Sequence, residues 1–203
     1  VRLRLSGKGF DELELKNRID NEVEKLIPLI DKYIYGYEEY GKEQPKLEEI
    51  LGQLLLEKGL KLGLAESCTG GYISHLITSV AGSSNYYNGC IVPYHNEFKH
   101  NLLKVDNGIF EKHGAVSREC VESMAKETLR VFNANVSIAV SGIAGPSGGT
   151  PDKPVGTVWI AVAYGDKIHS KHFIFGDNRL RNIQMTANAA MNMLRKLILN
   201  IED

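Results

Sequence analysis

Proline, cysteine and tryptophan are scarce here: six prolines, three cysteines and one tryptophan among 203 residues. The three thiols, Cys68, Cys90 and Cys120, are too few and too scattered for a disulfide framework or a zinc motif. An odd number of cysteines without a signal peptide fits a reducing compartment, so a cytoplasmic protein is expected. No apolar run approaches the roughly 18 residues needed to cross a bilayer, which excludes a helical membrane span. Neither sign of charge dominates: 24 Lys and Arg stand against 25 Asp and Glu, for a formal net charge of −1. That balance, with no basic stripe, argues against nucleic acid as a partner, although one local cluster of cations would suffice for a phosphate. The histidines have no metal-ligand spacing, so neither a metal nor a cofactor is expected. Repeats and low-complexity tracts are also missing.

What is present is an ordinary soluble composition, 43% hydrophobic and 24% charged, on a chain long enough for one good-sized domain and an appendage. The chain opens at Val1 rather than at a methionine, and is expected to be a piece of a longer protein. Val1–Leu5 alternates apolar and charged residues like a half-buried strand. After Gly7-Lys8-Gly9, Leu15, Ile19, Val23, Leu26 and Ile30 fall on one helical face, with Pro28 expected to kink or divide the helix. A strand and a helix cannot bury both their apolar faces alone. Residues 1–45 are therefore expected to be the tail of a preceding domain, a connecting helix and a linker over 36–45.

From Lys46 the pattern alternates helix and strand. Leu47, Ile50, Leu51, Leu54 and Leu55 mark a helix closed by Gly59, and a strand over Lys61–Ala65 runs into a polar turn. Tyr72–Val80 repeats at helical spacing, Gly89–Tyr94 reads as a buried strand, and Asn96–Leu103 as a short helix. Ser117 is a good N-cap for a helix reaching about Val131, and Val136–Val140 is a continuous apolar strand. Val155–Tyr164 and Ile168–Phe175 form a hairpin around Gly165-Asp166. Asp177 is the expected cap of a last helix with Ile183, Ala187, Ala190, Leu194 and Leu197 inward. The expectation is a three-layer α/β/α domain over 46–203 with a mostly parallel, mixed sheet.

In such sheets ligands bind beyond the carboxyl ends of the strands. Three segments qualify: 66–71, 94–99 and 141–150. The first sets Ser67, Cys68 and Thr69 before Gly70-Gly71 and a helix, where free N–H groups favour an anion and a hydroxyl becomes a nucleophile if a base is in reach. N-capping alone explains the same residues. The third holds four glycines among ten residues, able to approach a ligand closely, yet it matches neither the Walker pattern nor G-x-G-x-x-G. In the second, a desolvated Lys99 would serve as general base, and Tyr94 could relay a proton. A solvated lysine is the commoner fate.

Together these segments carry a resemblance. Ala-Glu-Ser-Cys-Thr-Gly-Gly at 65–71, Ala-Gly-Ser-Ser at 81–84 and Tyr-His-Asn-Glu-Phe-Lys at 94–99 occur in order. His-Gly-Ala-Val-Ser at 113–117, Ser-Gly-Ile-Ala-Gly-Pro-Ser-Gly-Gly-Thr at 141–150 and Lys-Pro-Val-Gly-Thr-Val at 153–158 follow. From about residue 46 onward the chain resembles the C-terminal domain of the CinA (competence/damage-inducible protein) family, also found alone as the PncC-type enzyme. The resemblance implies hydrolysis of the carboxamide of nicotinamide mononucleotide, with Ser67 as nucleophile and Lys99 and Tyr94 as its activating partners. It places Thr69, Gly70 and Gly71 on the family's turn and Gly142, Gly145 and Gly148 on its loop. With Glu66, Ser84, Asn96 and Ser141 these make the candidate substrate-binding set. Pro93 and His95 depart from the family pattern, where a small polar residue and a serine are usual, and both bear on how Tyr94 is aimed. Cys68 is the rival nucleophile. Full-length relatives carry a molybdopterin-binding-like domain and a KH-like middle domain, and Val1–Leu5 with the helix after it resemble the end of the latter.

The expected partners are a phosphorylated pyridine nucleotide and a second copy of the chain, as a homodimer, with no membrane or nucleic acid. A non-catalytic nucleotide-binding or docking module is the alternative. An accessory role in competence or DNA repair is suggested by the family's name alone.

Overall fold

The computed structural model describes residues 3–37 and 45–201. The chain divides into two compact units, one before and one from residue 45 onward. In the first, helix α1 (Glu12–Ile30) starts at Asp11, whose carboxylate accepts the Glu14 N–H at 3.0 Å. Leu15, Ile19, Val23, Leu26 and Ile30 are its half-buried face, and no residue of α1 is fully buried. Pro28 does not divide the helix. It stands in the last turn, where few hydrogen bonds remain to be lost, and a 3₁₀ turn over Asp31–Tyr33 follows. The expected first strand is not formed over Leu3–Leu5, which are irregular and exposed. A strand needs a neighbour to take its backbone hydrogen bonds. Val1 and Arg2 lie outside the described residues, as do residues 38–44 of the expected linker.

The second unit is built on five strands: β1 (Leu62–Glu66), β2 (Tyr87–Ile91), β3 (Val136–Gly142), β4 (Thr157–Tyr164) and β5 (Lys167–Ile174). Their order is β2-β1-β3-β4-β5, with β1 parallel to β2 and β3, and β4 antiparallel to β3 and β5. Six helices accompany them among the described residues: α2 (Leu47–Glu57), α3 (Tyr72–Thr78), α4 (Asn96–Leu103), α5 (Asn107–Lys112), α6 (Arg118–Phe132) and α7 (Arg179–Leu199). Helices on both faces make the domain a three-layer α/β/α structure.

Strand alternation divides the core in two. Leu62, Leu64, Ile138, Val140, Ile160 and Val162 pack against α2, α3 and α7. Ala65, Ala139, Ala161 and Ala163 face α6 and the end of α4 instead. Full burial of each aliphatic side chain on the first face is worth roughly 1.5–3 kcal/mol. On the second face small residues let α6 sit low: a Cβ at Gly63 would lie 2.9 Å from the Phe132 ring.

Several boundaries shift for local reasons. β2 begins and ends earlier than its apolar pattern suggests, because Pro93 has no N–H to extend the ladder and Tyr94 N turns back to Val92 O at 2.9 Å. Helix α5, unforeseen in the sequence, is one short run capped by Asp106, which accepts the Gly108 N–H. The cap of α7 is Asn178, not Asp177: Arg181 N donates to Asn178 Oδ1 at 3.0 Å.

Candidate active site

The registers Ala65↔Ile91 and Glu66↔Val140 bring the carboxyl ends of β1, β2 and β3 to one edge of the sheet. Antiparallel pairing of Gly142 with Val158 puts the start of β4 there too. The polar segments after β1, β2 and β3 therefore emerge side by side.

Ser67 N donates to Val140 O at 3.1 Å, extending the β1 ladder by one residue. The alternation of β1 thus carries past its end. Glu66 and Cys68 face the α3 side, and Ser67 faces the side of α4 and α6. Ser67 is 7% exposed, and its hydroxyl hydrogen-bonds to no described residue.

The glycine pair then reverses the chain with left-handed backbone, φ +60° at Gly70 and +97° at Gly71. Its N–H groups do not form the expected anion cradle. The fully buried Glu66 carboxylate accepts from Gly71 N at 3.1 Å, Ile73 N at 3.0 Å and Ser74 N at 2.7 Å, filling the start of α3. Gly70 N is taken by Ser67 O at 3.1 Å. Glu66 is thus a helix cap rather than a substrate ligand. Among the described residues, the N–H groups of Cys68 and Thr69 are left without a partner in another residue. They sit directly after Ser67, where an oxyanion would need donors.

Lys99 comes from the first turn of α4 and is 2% exposed, not solvated. Its Nζ donates to Pro93 O at 3.0 Å, Tyr94 O at 3.4 Å and Asn96 Oδ1 at 3.5 Å. Burial lowers the pKa of the amine, opposed by the Cys120 and Cys68 thiols near it. Lys99 is thus held by the β2 exit, in electrostatic reach of Cys68 and Cys120, with no hydrogen bond to Ser67. Cys68 packs among the apolar residues of the α3 side, and burial pushes its thiol up to about 12. It is a neutral thiol and a poor nucleophile.

Tyr94 is 58% exposed, and its hydroxyl accepts from Arg179 Nη2 at 3.0 Å rather than meeting Lys99 or Ser67. Only its backbone carbonyl reaches the lysine. Arg179 Nη1 donates to Gly145 O at 2.7 Å, so this guanidinium joins the β2 exit to the glycine-rich loop. Arg179 lies outside the motifs at 65–71, 94–99 and 141–150, so no spacing pointed to it.

In that loop Gly145 (φ +89°) and Gly148 (φ +91°) take conformations closed to other residues, and the Gly145-Pro146 bond is cis. Gly142 is required by packing instead: its Cβ would lie 2.7 Å from Val158 Cγ2. The buried Asn182 amide fastens the loop, donating to Ala144 O at 3.0 Å and Gly176 O at 2.8 Å. Ser141 Oγ donates to Ala115 O at 2.7 Å, and Lys153 Nζ to His113 O at 2.6 Å and Val116 O at 2.8 Å. These bonds explain why the motifs at 113–117 and 153–158 belong with the site.

Ser84 does not join it. It is exposed in the 3₁₀ turn Ser83–Asn85 before β2, at the opposite edge of the sheet, because Leu62↔Tyr87 pairs the strand starts.

The family model of the CinA C-terminal domain matches residues 44–198. A CinA-like protein of Cytophaga hutchinsonii is 43% identical over 202 residues, covering 100% of this chain and 47% of the relative. Another, of Flavobacterium psychrophilum, is 44% identical over 199 residues, 98% of this chain and 47% of the relative. The chain thus spans about half the length of the curated relatives it matches. Among solved structures, the competence/damage-inducible protein of Agrobacterium tumefaciens has a TM-score of 0.71 at 35% identity, covering 77% of this chain and 98% of that one. A CinA superfamily protein of Klebsiella pneumoniae gives 0.73 at 30% identity, with 77% and 99% covered.

Proposed function

The chain belongs to the CinA C-terminal domain family, and we propose that it is an amidohydrolase converting nicotinamide mononucleotide to nicotinic acid mononucleotide and ammonia in pyridine nucleotide recycling. The observation that carries this reading is a buried Lys99 in electrostatic reach of Cys68, which follows an unbonded serine hydroxyl and opens a pair of N–H groups with no partner in another residue. Nucleophile, base and oxyanion donors are the parts acyl transfer from an amide requires.

In this mechanism Ser67 Oγ attacks the carboxamide carbon and its proton passes to the neutral Lys99 amine. The carbonyl electrons move to an oxyanion held by Cys68 N–H and Thr69 N–H. Lys99 then returns the proton to the departing nitrogen as the C–N bond breaks, leaving ammonia and an acyl-serine. Water attacks that ester, giving its proton to Lys99, and the serine oxygen leaves with a proton. In the resting arrangement all three Nζ contacts are to oxygens, so acting as a base requires the amine to lose a proton and release its longest contact, Asn96 at 3.5 Å. Arg179, exposed to the same edge, supplies positive charge for the phosphate in place of the occupied α3 terminus. Residues 1–45 are read as the end of a preceding KH-like domain with a connecting helix and linker.

The test is ammonia release from nicotinamide mononucleotide, with free nicotinamide as control. Turnover of the mononucleotide alone supports the reading. Lys99→Ala is expected to lower kcat by roughly 10²–10⁴ with its circular dichroism unchanged. Near wild-type release from that variant would falsify the assignment.

A further inference from the structure

Every backbone N–H from Ser67 to Ser74 can be accounted for. Ser67 donates to Val140 O, Gly70 to Ser67 O and Tyr72 to Thr69 O. Gly71, Ile73 and Ser74 donate to the Glu66 carboxylate. Cys68 and Thr69 remain, the adjacent pair that follows Ser67. Among the described residues, no side chain other than Glu66 holds the N–H groups of this stretch.

The chemistry of the clamp demands a glutamate. Glu66 is 0% exposed at the last position of β1, and no described lysine or arginine forms an ion pair with it. A buried charge must be compensated, and here backbone N–H groups do it. Oε2 accepts from Gly71 N at 3.1 Å and Ile73 N at 3.0 Å. Oε1 accepts from Ser74 N at 2.7 Å and lies 3.7 Å from the Cys90 thiol. Both oxygens are therefore needed as acceptors, and glutamine, turned either way, aims its NH2 at an N–H donor. Aspartate keeps the charge but falls one methylene short. The carboxylate thus ties the start of α3 to the end of β1, and residues 67–70 are strung between two fixed ends.

We propose that Glu66 is a positioning residue: by tying down the end of the turn, it holds the Cys68 and Thr69 N–H groups in one orientation as oxyanion donors beside Ser67. This rests on the amidohydrolase reading, and deepens it by assigning the preorganisation of those donors to a side chain on the opposite face from Ser67.

Ammonia release from nicotinamide mononucleotide tests it, using the full chain at a temperature where circular dichroism shows each variant folded. NMR relaxation of the Cys68 and Thr69 amides is measured alongside. Glu66→Gln and Glu66→Asp should each lose roughly 10²-fold in kcat, with KM within about twofold, since these donors act in the transition state. In both variants the two amides should lose the rigid order parameter of about 0.85 expected of wild type. Leu55→Ala, a core truncation in α2, should melt lower and keep its kcat. Wild-type kcat in either folded Glu66 variant overturns the proposal. So does unchanged order at Cys68 and Thr69, or an equal loss of kcat in Leu55→Ala. An Asp variant that keeps kcat where the Gln variant loses it would assign the effect to charge instead of position. If the wild-type chain releases no ammonia, the amidohydrolase reading fails, while the order parameters still decide whether Glu66 fixes the pair.

Discussion

Lys99 and Cys68 show how burial assigns opposite roles to neighbouring groups. Desolvation makes the lysine easier to deprotonate and the thiol harder. If neutral Lys99 is the base, kcat/KM should climb with pH and level off at a midpoint below the ordinary lysine value of about 10.4. A rising limb that keeps its midpoint in the residual activity of Lys99→Ala would remove Lys99 from that role. Cys68→Ser should keep activity within about threefold in the ammonia assay, since the thiol faces the α3 side and not the side Ser67 faces. Both residues lay in motifs read from the sequence, and a helix–strand order that sends strand carboxyl ends to one edge was enough to expect them together there. What sequence could not reveal were contacts between distant residues. Glu66 looked like a ligand until three N–H groups were found on it, and Arg179 reaches Tyr94 from the far end of the chain. Spacing along a helix or strand carries no trace of either.

At the scale of elements, α3 depends on a carboxylate outside itself. The helix has seven residues and no N-cap side chain of its own, and Glu66 takes on that task from β1. Glu66→Gln keeps the size but weakens the charge-assisted acceptor and turns an NH2 toward N–H donors. It should cost about 2–4 kcal/mol in urea unfolding, from hydrogen bonds to charge worth roughly 1.5–3 kcal/mol each. A loss below about 0.5 kcal/mol would mean that α3 is held by packing alone. Longer elements with a clear cap, such as α6 after Ser117, fell where the sequence put them. β2 and α5 did not, since a proline exit and one capped turn are decided by single residues rather than by a repeating pattern.

For the molecule as a whole, all the buried residues described lie at or after Glu48, so the second unit carries its own core. A chain starting at Pro45 should melt in one calorimetric transition within about 2–4 °C of the full-length main transition; a loss of cooperativity would contradict this. The paving of the sheet has a further consequence. The side facing α6 is laid with glycine and alanine, while the side facing α7 is laid with leucine, isoleucine and valine. Mutational tolerance should therefore be lopsided: one surface of the same strand punishes added volume, and the other punishes removed volume. A saturation scan of β1 and β3 would alternate between these two signatures residue by residue, tracing the pleat without any coordinates.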